Sequence, residues 1–311
     1  MTAPPPIAVG LVGAGTWARR MHAPMLAAGP ETRLAAVWSR HGSAPNILAP
    51  AEPERSGRAA RRALDDVDPV PVTADFDDFL SRCEAVAFAV PPDVQAVLAV
   101  RAARAGKAVL LEKPLALDLP AAIALAEAID AAGVVSQVVF TKRYHPRTRA
   151  FLTAAAEFAT TGVRSCYLHG GFLGGPFAGG WRQTHGVLFD LGPHLLDLLD
   201  AAAGPIAEIR ATGDPQRWVE LTGRHGNGRV SQATLSGHIG LSRPLTTVDL
   251  FGPDGTLHYD TDGMDHDECW PIVRREFAAA VRSGRPHELD VHRGLTIQRL
   301  IERCRIHLAA A

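Results

Sequence analysis

The sequence predicts an α/β protein of two domains, with a parallel sheet in the first domain and an open, mostly antiparallel sheet in the second. Its 311 residues exceed the usual size of one domain. As far as about Thr141, short apolar runs alternate with alanine-rich amphipathic stretches, which is typical of βαβ units. After Tyr144, closely spaced strands and turns indicate antiparallel pairing. We therefore expect domains of residues 1–143 and 144–311.

The first domain is predicted to alternate strands with helices around the parallel sheet. The predicted strands are Ile7–Gly13, Arg33–Ser39, Ala85–Val90, Ala108–Leu111 and Val134–Phe140. The predicted helices are Thr16–Ala28, Arg58–Leu64, Val94–Ala105 and Leu119–Ala132. The segment His41–Ser56, rich in proline, alanine and serine, is predicted to be a surface loop.

The second domain is predicted to combine helices with a strand-rich region. The predicted helices are Arg147–Ala159, Gly186–Leu199, Trp270–Arg282 and Val291–Leu308, and residues 170–180 are rich in glycine. The predicted strands are Ile206–Thr212, Trp218–Thr222, Val230–Ile239, Thr246–Phe251 and Thr256–Tyr259. The third and fourth of these strands carry apolar residues on both faces, so we expect one face of the sheet to form a homo-oligomer.

Charge and cysteine content exclude several classes of protein. Lys plus Arg number 32 against 33 Asp plus Glu, so no positive charge draws the chain to nucleic acid or to an anionic membrane. A small, roughly neutral substrate fits this balance better. The N-terminus does not read as a signal peptide, and no apolar run reaches the roughly 20 residues that span a bilayer. Four widely separated cysteines predict reduced thiols in a cytoplasmic protein, and neither a zinc site nor a disulfide framework.

A glycine-rich turn predicts a dinucleotide site. Residues 13–18 read Gly-Ala-Gly-Thr-Trp-Ala, a G-x-G-x-x-A pattern that follows a predicted strand and opens a predicted helix. Gly13 permits the tight turn, Gly15 lets the backbone approach a pyrophosphate, and the small Ala18 allows close helix–strand packing. The helix N-terminus at Thr16 and Trp17 offers free N–H groups to the phosphates.

The end of the second strand bears on the choice between NADP and NAD. NAD enzymes carry an acidic residue about 20 positions after the glycines, which binds the ribose hydroxyls. Here the sequence has Ser39 and Arg40 and no carboxylate. A guanidinium and a hydroxyl suit a 2′-phosphate, so we expect NADP to be preferred over NAD. The alternative is a solvated arginine at the start of a loop.

Lys113 is the first candidate for chemistry. It follows a predicted parallel strand, at the sheet edge where open α/β sheets bind their ligands. A lysine held there donates a hydrogen bond to a substrate oxygen and stabilises developing negative charge. The following Pro114 is compatible with a cis peptide bond. A surface lysine that caps a strand is the alternative interpretation.

Asp190 and His194 are four residues apart and are the second candidate site. On one helix face, both side chains approach the same substrate atom. A helix that begins before Asp190 would place Pro193 in its interior, which proline disfavours. Pro193 suits a first helical turn, so the helix could instead begin near Leu191 with Asp190 as its N-cap. Histidine is the usual acid–base group near neutral pH, and a carboxylate orients it. The alternative is a helix cap beside a core histidine.

These motifs together resemble the Gfo/Idh/MocA oxidoreductases, a family named for glucose–fructose oxidoreductase and inositol dehydrogenase. The resemblance extends over nearly the whole chain. The matching motifs are the first-turn glycines, Val90-Pro91-Pro92, Glu112-Lys113-Pro114, Arg143-Tyr144-His145-Pro146, the segment from Asp190 to His194, and Phe277 followed by Gly284-Arg285-Pro286.

The resemblance implies an N-terminal Rossmann domain and a C-terminal α/β domain whose open sheet often mediates oligomerisation. It also implies that Lys113 and His194 take part in proton transfer, that Asp190 assists, and that the nicotinamide exchanges a hydride with a sugar or inositol carbon. The family motifs make Pro91, Pro92, Glu112 and Lys113 candidates for cofactor contact, and Arg143 and Tyr144 candidates for substrate contact.

Two departures from the family pattern bear on the substrate more than on the reaction. Many members carry histidine two or three residues after the paired prolines, where this chain has Asp93-Val94-Gln95. The glycine-rich lead-in to Asp190 is reduced to His185-Gly186-Val187.

Two further segments carry residue types that occur in functional sites. Trp181 and Arg182 are candidates to line a substrate pocket, with a core position as the alternative for the tryptophan. The ligand-type residues from Asp262 to Cys269 are interpreted as solvated carboxylates and not as a metal site. Two other functions stay open, namely a non-catalytic dinucleotide-binding regulator and a reductase of an imine or a dihydrodiol.

Overall fold

The computed structural model describes residues 4–48, 70–175 and 178–309, and within these ranges the chain divides into two compact units. The first unit comprises Met1–Val139 and Trp270–Leu295, and the second comprises Phe140–Cys269 and Thr296–Ala311. The predicted helix Arg58–Leu64, and the part of the predicted loop beyond residue 48, lie outside the described residues.

This division differs from the expected one in the C-terminal segment. The prediction assigned all residues after 143 to the second domain, whereas Trp270–Leu295 belongs to the first unit. The Gln137 side-chain amide donates to Val273 O at 3.1 Å, and Val138 N–H donates to Leu289 O at 2.6 Å. The pattern of an amphipathic helix shows that it has an apolar face but not which core that face covers.

The first unit is built on a six-stranded sheet. Its strands are Ile7–Val12 (β1), Thr32–Trp38 (β2), Val72–Thr73 (β3), Ala85–Phe88 (β4), Ala108–Leu111 (β5) and Ser136–Val138 (β6). The strand order is β3-β2-β1-β4-β5-β6 and every pairing is parallel. This doubly wound order confirms the predicted Rossmann fold and places the switch point between β1 and β4.

Helices connect these strands. They are Ala23–Ala27 (α1), Phe76–Ser81 (α2), Pro92–Arg104 (α3) and Leu119–Ala132 (α4), and a π-helical stretch, Ala18–His22, leads into α1. Asp118 caps α4 by accepting the Ala121 N–H at 2.8 Å, and Gly133 ends it with a φ of 63°. The predicted helix Leu119–Ala132 is therefore confirmed, whereas α2 and the two-residue β3 were not predicted.

The second unit is built on another six-stranded sheet. Its strands are Gly162–Leu168 (β7), Ile206–Asp214 (β8), Trp218–His225 (β9), Val230–Ser236 (β10), Leu245–Gly252 (β11) and Gly255–Asp260 (β12). The order is β12-β11-β7-β10-β9-β8, and all pairings are antiparallel except β7 with β10. The mostly antiparallel sheet is thus confirmed. The prediction missed β7, although this strand lies in the middle of the sheet.

The remaining helices are Pro146–Glu157 (α5), Trp181–Asp190 (α6), Gly192–Ala203 (α7), Cys269–Ser283 (α8) and Val291–Ala309 (α9). The single helix predicted over Gly186–Leu199 is wrong, because two helices cover this range. Gly186 interrupts the first of them with φ 72° and ψ −169°, and a Cβ on this glycine would collide with Pro215 O. This residue needs the conformational freedom of glycine.

One face of the second sheet is apolar and buried against helices. Val219, Leu221 and Leu250 are buried on that face, and α7 lies against β7, β10 and β11. On the opposite face, Val230 and Phe251 are 47% and 41% exposed. Within the described ranges, no helix combines the length and the apolar character needed to cross a membrane.

Candidate active site

The glycine-rich turn of the first unit adopts the geometry that a dinucleotide needs. Gly13 has a φ of 119°, and a Cβ on it would lie 2.5 Å from Ala89 O, so only glycine fits there. A Cβ on Gly15 would meet no atom within 4 Å. The backbone of Gly15 therefore faces open space. Arg19 N–H donates to Gly15 O at the start of the helix, and Ala18 is fully buried. The turn therefore fits a pyrophosphate group.

Ser39 and Arg40 follow β2 but differ in what they offer to a ligand. The Ser39 hydroxyl donates to Ser43 O at 2.7 Å and accepts the Ser43 N–H at 2.9 Å, and this serine is buried. Arg40 is exposed. The Ser39 hydroxyl thus stabilises the turn after β2. Of the two residues, Arg40 is the one whose side chain is exposed to a ligand.

The paired prolines and Lys113 lie at the same edge of the sheet as the glycine-rich turn. Pro91 and Pro92 follow β4 and start α3, and Lys113 follows β5. Since all strands of this sheet are parallel, their carboxyl ends share one edge. Lys113 is partly exposed there, and the Lys113–Pro114 bond is cis, as expected. Pro91 is exposed, whereas Pro92 is buried in the first turn of the helix.

Glu112 holds other protein groups, which differs from the expectation that it contacts the cofactor. Its Oε1 accepts hydrogen bonds from Trp17 Nε1 and His22 Nε2, both at 2.7 Å, and its Oε2 accepts the Lys113 N–H at 3.3 Å. The Trp17 and His22 rings each pack edge-on against Trp270. The carboxylate thus fixes Trp17 and the Lys113 backbone from inside the unit.

In the second unit, Asp190 and His194 flank the junction of α6 and α7. Asp190 is the last residue of α6, and Leu191 is the N-cap of α7, so the N-cap expected at Asp190 is wrong. Pro193 lies in the first turn of α7, as expected. Asp190 Oδ1 accepts a hydrogen bond from Arg182 Nε at 3.2 Å. Both Asp190 and His194 are nearly buried, at 8% and 9% exposure.

Tyr167 lies beside His194 and was missed by the sequence analysis. Its ring packs edge-on against His194, with 6.1 Å between the centroids, and edge-on against His169 at 5.7 Å. The ammonium of the buried Lys142 lies 4.0 Å from the centre of the Tyr167 ring. Burial and the nearby charge of Asp190 raise the pKa of Tyr167. The phenol is therefore protonated at neutral pH. The sequence analysis gave no signal for Tyr167, because it did not predict the strand β7 that carries this residue.

The expected substrate residues have protein partners in the second unit. Tyr144 is fully buried, and Arg143 Nη1 contacts both oxygens of the buried Asp197, at 3.1 and 3.2 Å. These positions do not match the expectation that both line a substrate pocket. Arg182 lies 4.6 Å from the centre of the Trp181 ring, and both residues are partly exposed. Trp181 and Arg182 therefore remain candidates for substrate contact, and both are more exposed than Tyr144.

The segment from Asp262 to Cys269 uses its carboxylates as caps. Asp265 accepts the Asp267 N–H at 2.9 Å, and Asp260 accepts the Asp262 N–H at 2.9 Å. Burial, and then the charges of Lys142 and His145, lower the pKa of His266 to about 4. Among the described residues, no group of three His, Cys, Asp or Glu side chains is arranged to hold a metal ion.

Parts of the sequence are similar to known oxidoreductases. The model of an oxidoreductase family with an NAD-binding Rossmann fold matches residues 7–140. The levoglucosan dehydrogenase of Pseudarthrobacter phenanthrenivorans is 25% identical over 211 residues, which are 65% of this chain and 53% of that protein. The matched region thus spans about half the length of this relative.

The fold is similar to that of solved dehydrogenases over nearly the whole chain. GenD2 from gentamicin A biosynthesis, solved in complex with NAD, has a TM-score of 0.81 and 21% identity, covering 99% of this chain and 96% of that one. The scyllo-inositol dehydrogenase of Lactobacillus casei has a TM-score of 0.78 and 17% identity, covering 98% and 96%. At these identities the comparison establishes a shared two-domain fold.

Proposed function

We propose that the chain is a nicotinamide-dependent dehydrogenase or reductase of a sugar-like polyol or its ketone. The proposal starts from the model of the Gfo/Idh/MocA oxidoreductase family, which matches residues 7–140. The observation that carries the proposal is the shared sheet edge of the first unit. There the open turn at Gly15 and the partly exposed Lys113 follow two parallel strands of one sheet. The names of the similar dehydrogenases, which act on sugars and inositol, support a carbohydrate substrate.

In the proposed reaction, a secondary alcohol becomes a ketone. The carbon–hydrogen bond breaks with its electron pair, the hydroxyl proton leaves, and a carbon–oxygen double bond forms. A nicotinamide held at the glycine-rich turn would supply the hydride acceptor, and the hydride donor in the reverse direction. His194 takes the hydroxyl proton, and Lys113 donates a hydrogen bond that stabilises negative charge on the oxygen.

The surroundings of Asp190 and His194 support these roles. The Asp190 carboxylate is nearly buried and forms an ion pair with Arg182 beside the junction of α6 and α7. There it assists His194 by stabilising the imidazolium that forms when His194 accepts a proton. The Tyr167 ring packs against the imidazole and limits its rotation.

The proposed roles are tested by a substrate screen followed by two substitutions. Sugars, nucleotide sugars, inositols and their keto forms are offered with NAD(P) and NAD(P)H. Once the screen has identified a substrate, Lys113→Met and His194→Asn should each lower kcat about 100- to 10,000-fold. Dinucleotide affinity should stay near the wild-type value, because backbone groups around Gly13 and Gly15 hold the phosphates. Wild-type rates in both variants would contradict the assignment.

Other outcomes of the screen separate the competing functions. Tight dinucleotide binding without turnover of any substrate would favour a non-catalytic regulator. Turnover of an imine or a dihydrodiol, with none of any sugar, would keep the chemistry and replace the substrate class.

The family's Rossmann domain binds NAD, and we propose a preference of this chain for NADP(H). The support is the exposed Arg40 after β2, where the described residues 39–48 include no carboxylate that would repel a 2′-phosphate. Since Ser43 engages the Ser39 hydroxyl, Arg40 carries the preference. Fluorescence titrations should show tighter NADPH binding in the wild type and tighter NADH binding in Arg40→Asp. Tighter NADH binding in the wild type would overturn the preference.

We further propose that the chain forms a homo-oligomer through the exposed face of the second sheet. Val230 and Phe251 both stand opposite Gly162 in the pairing register, so their exposed side chains share one face. Light scattering at micromolar concentration should give a multiple of the 33.1 kDa chain mass. A monomeric mass would contradict this, and Phe251→Glu should dissociate the assembly. The cytoplasmic location expected from the sequence stays a prediction.

A further inference from the structure

The side chain of Gln95 holds the backbone on both sides of Lys113. Its Nε2 donates to Glu112 O at 2.8 Å and to Pro114 O and Leu115 O, both at 3.2 Å. Its Oε1 accepts the Glu112 N–H at 2.8 Å. One side-chain amide therefore pairs with both backbone groups of the residue before Lys113 and with the carbonyls of the two residues after it.

The amide of Gln95 acts here like the backbone of a neighbouring strand. After Leu111, where β5 ends, the N–H and C=O groups of Glu112 need partners, and Gln95 supplies both. A glutamine has one acceptor oxygen and two N–H donors, which matches this demand. Replacing it with an apolar residue leaves buried polar groups of the backbone unpaired, which is costly.

Gln95 is itself held rigidly. Its side chain is fully buried, and its backbone N–H donates to Pro91 O at 2.9 Å in the first turn of α3. Pro92 fixes the backbone at the start of that helix. The paired prolines, the first turn of α3 and Gln95 thus form one continuous support for the Lys113 backbone.

We propose that Gln95 is a positioning residue that sets where the Lys113 ammonium stands. This inference rests on the proposed function, in which Lys113 stabilises charge on the substrate oxygen. Displacement of such a group by about 1 Å costs roughly 100-fold in rate. Because the Gln95 side chain has no exposed surface, it acts through the Lys113 backbone and does not touch substrate.

This role changes the meaning of one departure from the family pattern. The sequence placed Gln95 where many members carry histidine, and we expected that difference to affect the substrate. In the structure these four hydrogen bonds of the side chain all go to the loop that carries Lys113. The difference therefore concerns the placement of the catalytic lysine.

The test compares two substitutions of Gln95 with a matched control. Gln95→Leu removes all four hydrogen bonds, and Gln95→Glu keeps the size and the acceptor while it changes the donor. Gln137→Leu is the control, since Gln137 is also fully buried in the first unit and donates to a backbone carbonyl, Val273 O, which is not part of the loop that carries Lys113. If Gln95→Leu does not fold, Gln95→Glu carries the test.

Two measurements separate positioning from general destabilisation. With an established substrate, the Gln95 variants should lose about 10- to 100-fold in kcat while KM and dinucleotide affinity change little, and Gln137→Leu should keep its kcat. Without any substrate or dinucleotide, the acetylation rate of Lys113 by a water-soluble succinimidyl ester is followed by peptide mass spectrometry. The chain has only three lysines, Lys107, Lys113 and Lys142, so each is resolved.

In the Gln95 variants the acetylation rate of Lys113 should change well beyond any change at Lys107, whose ammonium donates to Cys83 O. Unchanged acetylation of Lys113 in a folded Gln95 variant would overturn the proposal, and so would an unchanged kcat. If the wild type turns over no substrate, the proposed function fails, whereas the acetylation rates still decide whether Gln95 positions Lys113.

Discussion

The indole N–H of Trp17 donates a hydrogen bond to the Glu112 carboxylate at 2.7 Å, although 95 residues separate them in the sequence. Trp17 belongs to the glycine-rich turn, and Glu112 directly precedes Lys113. This bond therefore connects the glycine-rich turn with the loop that carries Lys113, inside the first unit. His22, which donates to the same carboxylate oxygen, strengthens the connection.

Trp17→Phe should affect stability more than dinucleotide binding. The substitution removes the indole N–H and keeps an aromatic ring beside Trp270. We expect a loss of about 1.5–3 kcal/mol in the free energy of unfolding, the usual range for a hydrogen bond to a charged group. Urea unfolding and NADPH titration measure the two effects. A large loss of NADPH affinity at unchanged stability would instead make Trp17 a direct cofactor contact.

Alanine at Gly13 and alanine at Gly15 should fail in different ways. Gly13→Ala forces a Cβ against Ala89 O at a positive φ, so the melting temperature should fall clearly, at a cost of about 1–3 kcal/mol. Gly15→Ala meets no protein atom, so its melting temperature should stay near the wild-type value. Its methyl group should still weaken dinucleotide binding, because it occupies the space that the pyrophosphate needs. Unchanged affinity in Gly15→Ala would place the phosphates elsewhere.

Arg143→Met should destabilise the second unit rather than raise KM alone. Arg143 contacts the carboxylate of Asp197, whose side chain is only 1% exposed. Removing one partner of such a pair costs about 3 kcal/mol, since the buried Asp197 carboxylate loses this positive charge. Thermal unfolding and steady-state kinetics of the variant together decide whether Arg143 stabilises the fold or contacts the substrate. A higher KM at unchanged stability would restore Arg143 as a substrate contact, and Arg182→Met is the comparison for the more exposed arginine.

His266 should make the protein less stable in acid. Its pKa is about 4 when folded, against 6.5 for an ordinary histidine, so between these values the unfolded chain binds a proton that the folded chain does not. The stabilisation is fully present above pH 6.5 and is lost as the pH falls toward 4. Its upper limit is on the order of 3 kcal/mol, since one pKa unit is worth about 1.4 kcal/mol.

Melting temperatures of the wild type and His266→Asn between pH 7 and about 4.5 measure this effect. The variant should lose less stability than the wild type as the pH falls. His258→Asn is the control of opposite sign, because a hydrogen bond with Asp249 raises the pKa of the exposed His258. That contribution is present at low pH and is lost as the pH rises through the folded pKa. Parallel curves for the wild type and His266→Asn would contradict the prediction.

Several features could be predicted because they depend on neighbouring residues. The alternation of apolar runs and amphipathic stretches predicted the parallel sheet, and the strand Ala108–Leu111 and the helix Leu119–Ala132 have the predicted bounds. The pattern of glycines predicted a turn whose φ values and close contacts indeed require Gly13. In each case the local chain determines the backbone geometry.

Other features required contacts between distant residues. The strand β7 has a weak alternation in its sequence, and it forms only because β10 and β11 pair with it on both sides. The break at Gly186 depends on the close approach of Pro215, and the packing of His194 depends on Tyr167. A local pattern carries no information about such neighbours.

Local patterns along the chain were enough to predict the class of fold, the glycine-rich turn and the position of Lys113 at the end of a parallel strand. The surroundings of these groups depend on contacts between distant residues: Trp270–Leu295 returns to the first unit, Glu112 binds Trp17, and Gln95 supports the backbone on both sides of Lys113. Periodicity and turn chemistry act over a few residues of the chain. Burial and hydrogen-bond pairing are satisfied by whichever groups the folded chain brings together, however far apart they lie in the sequence.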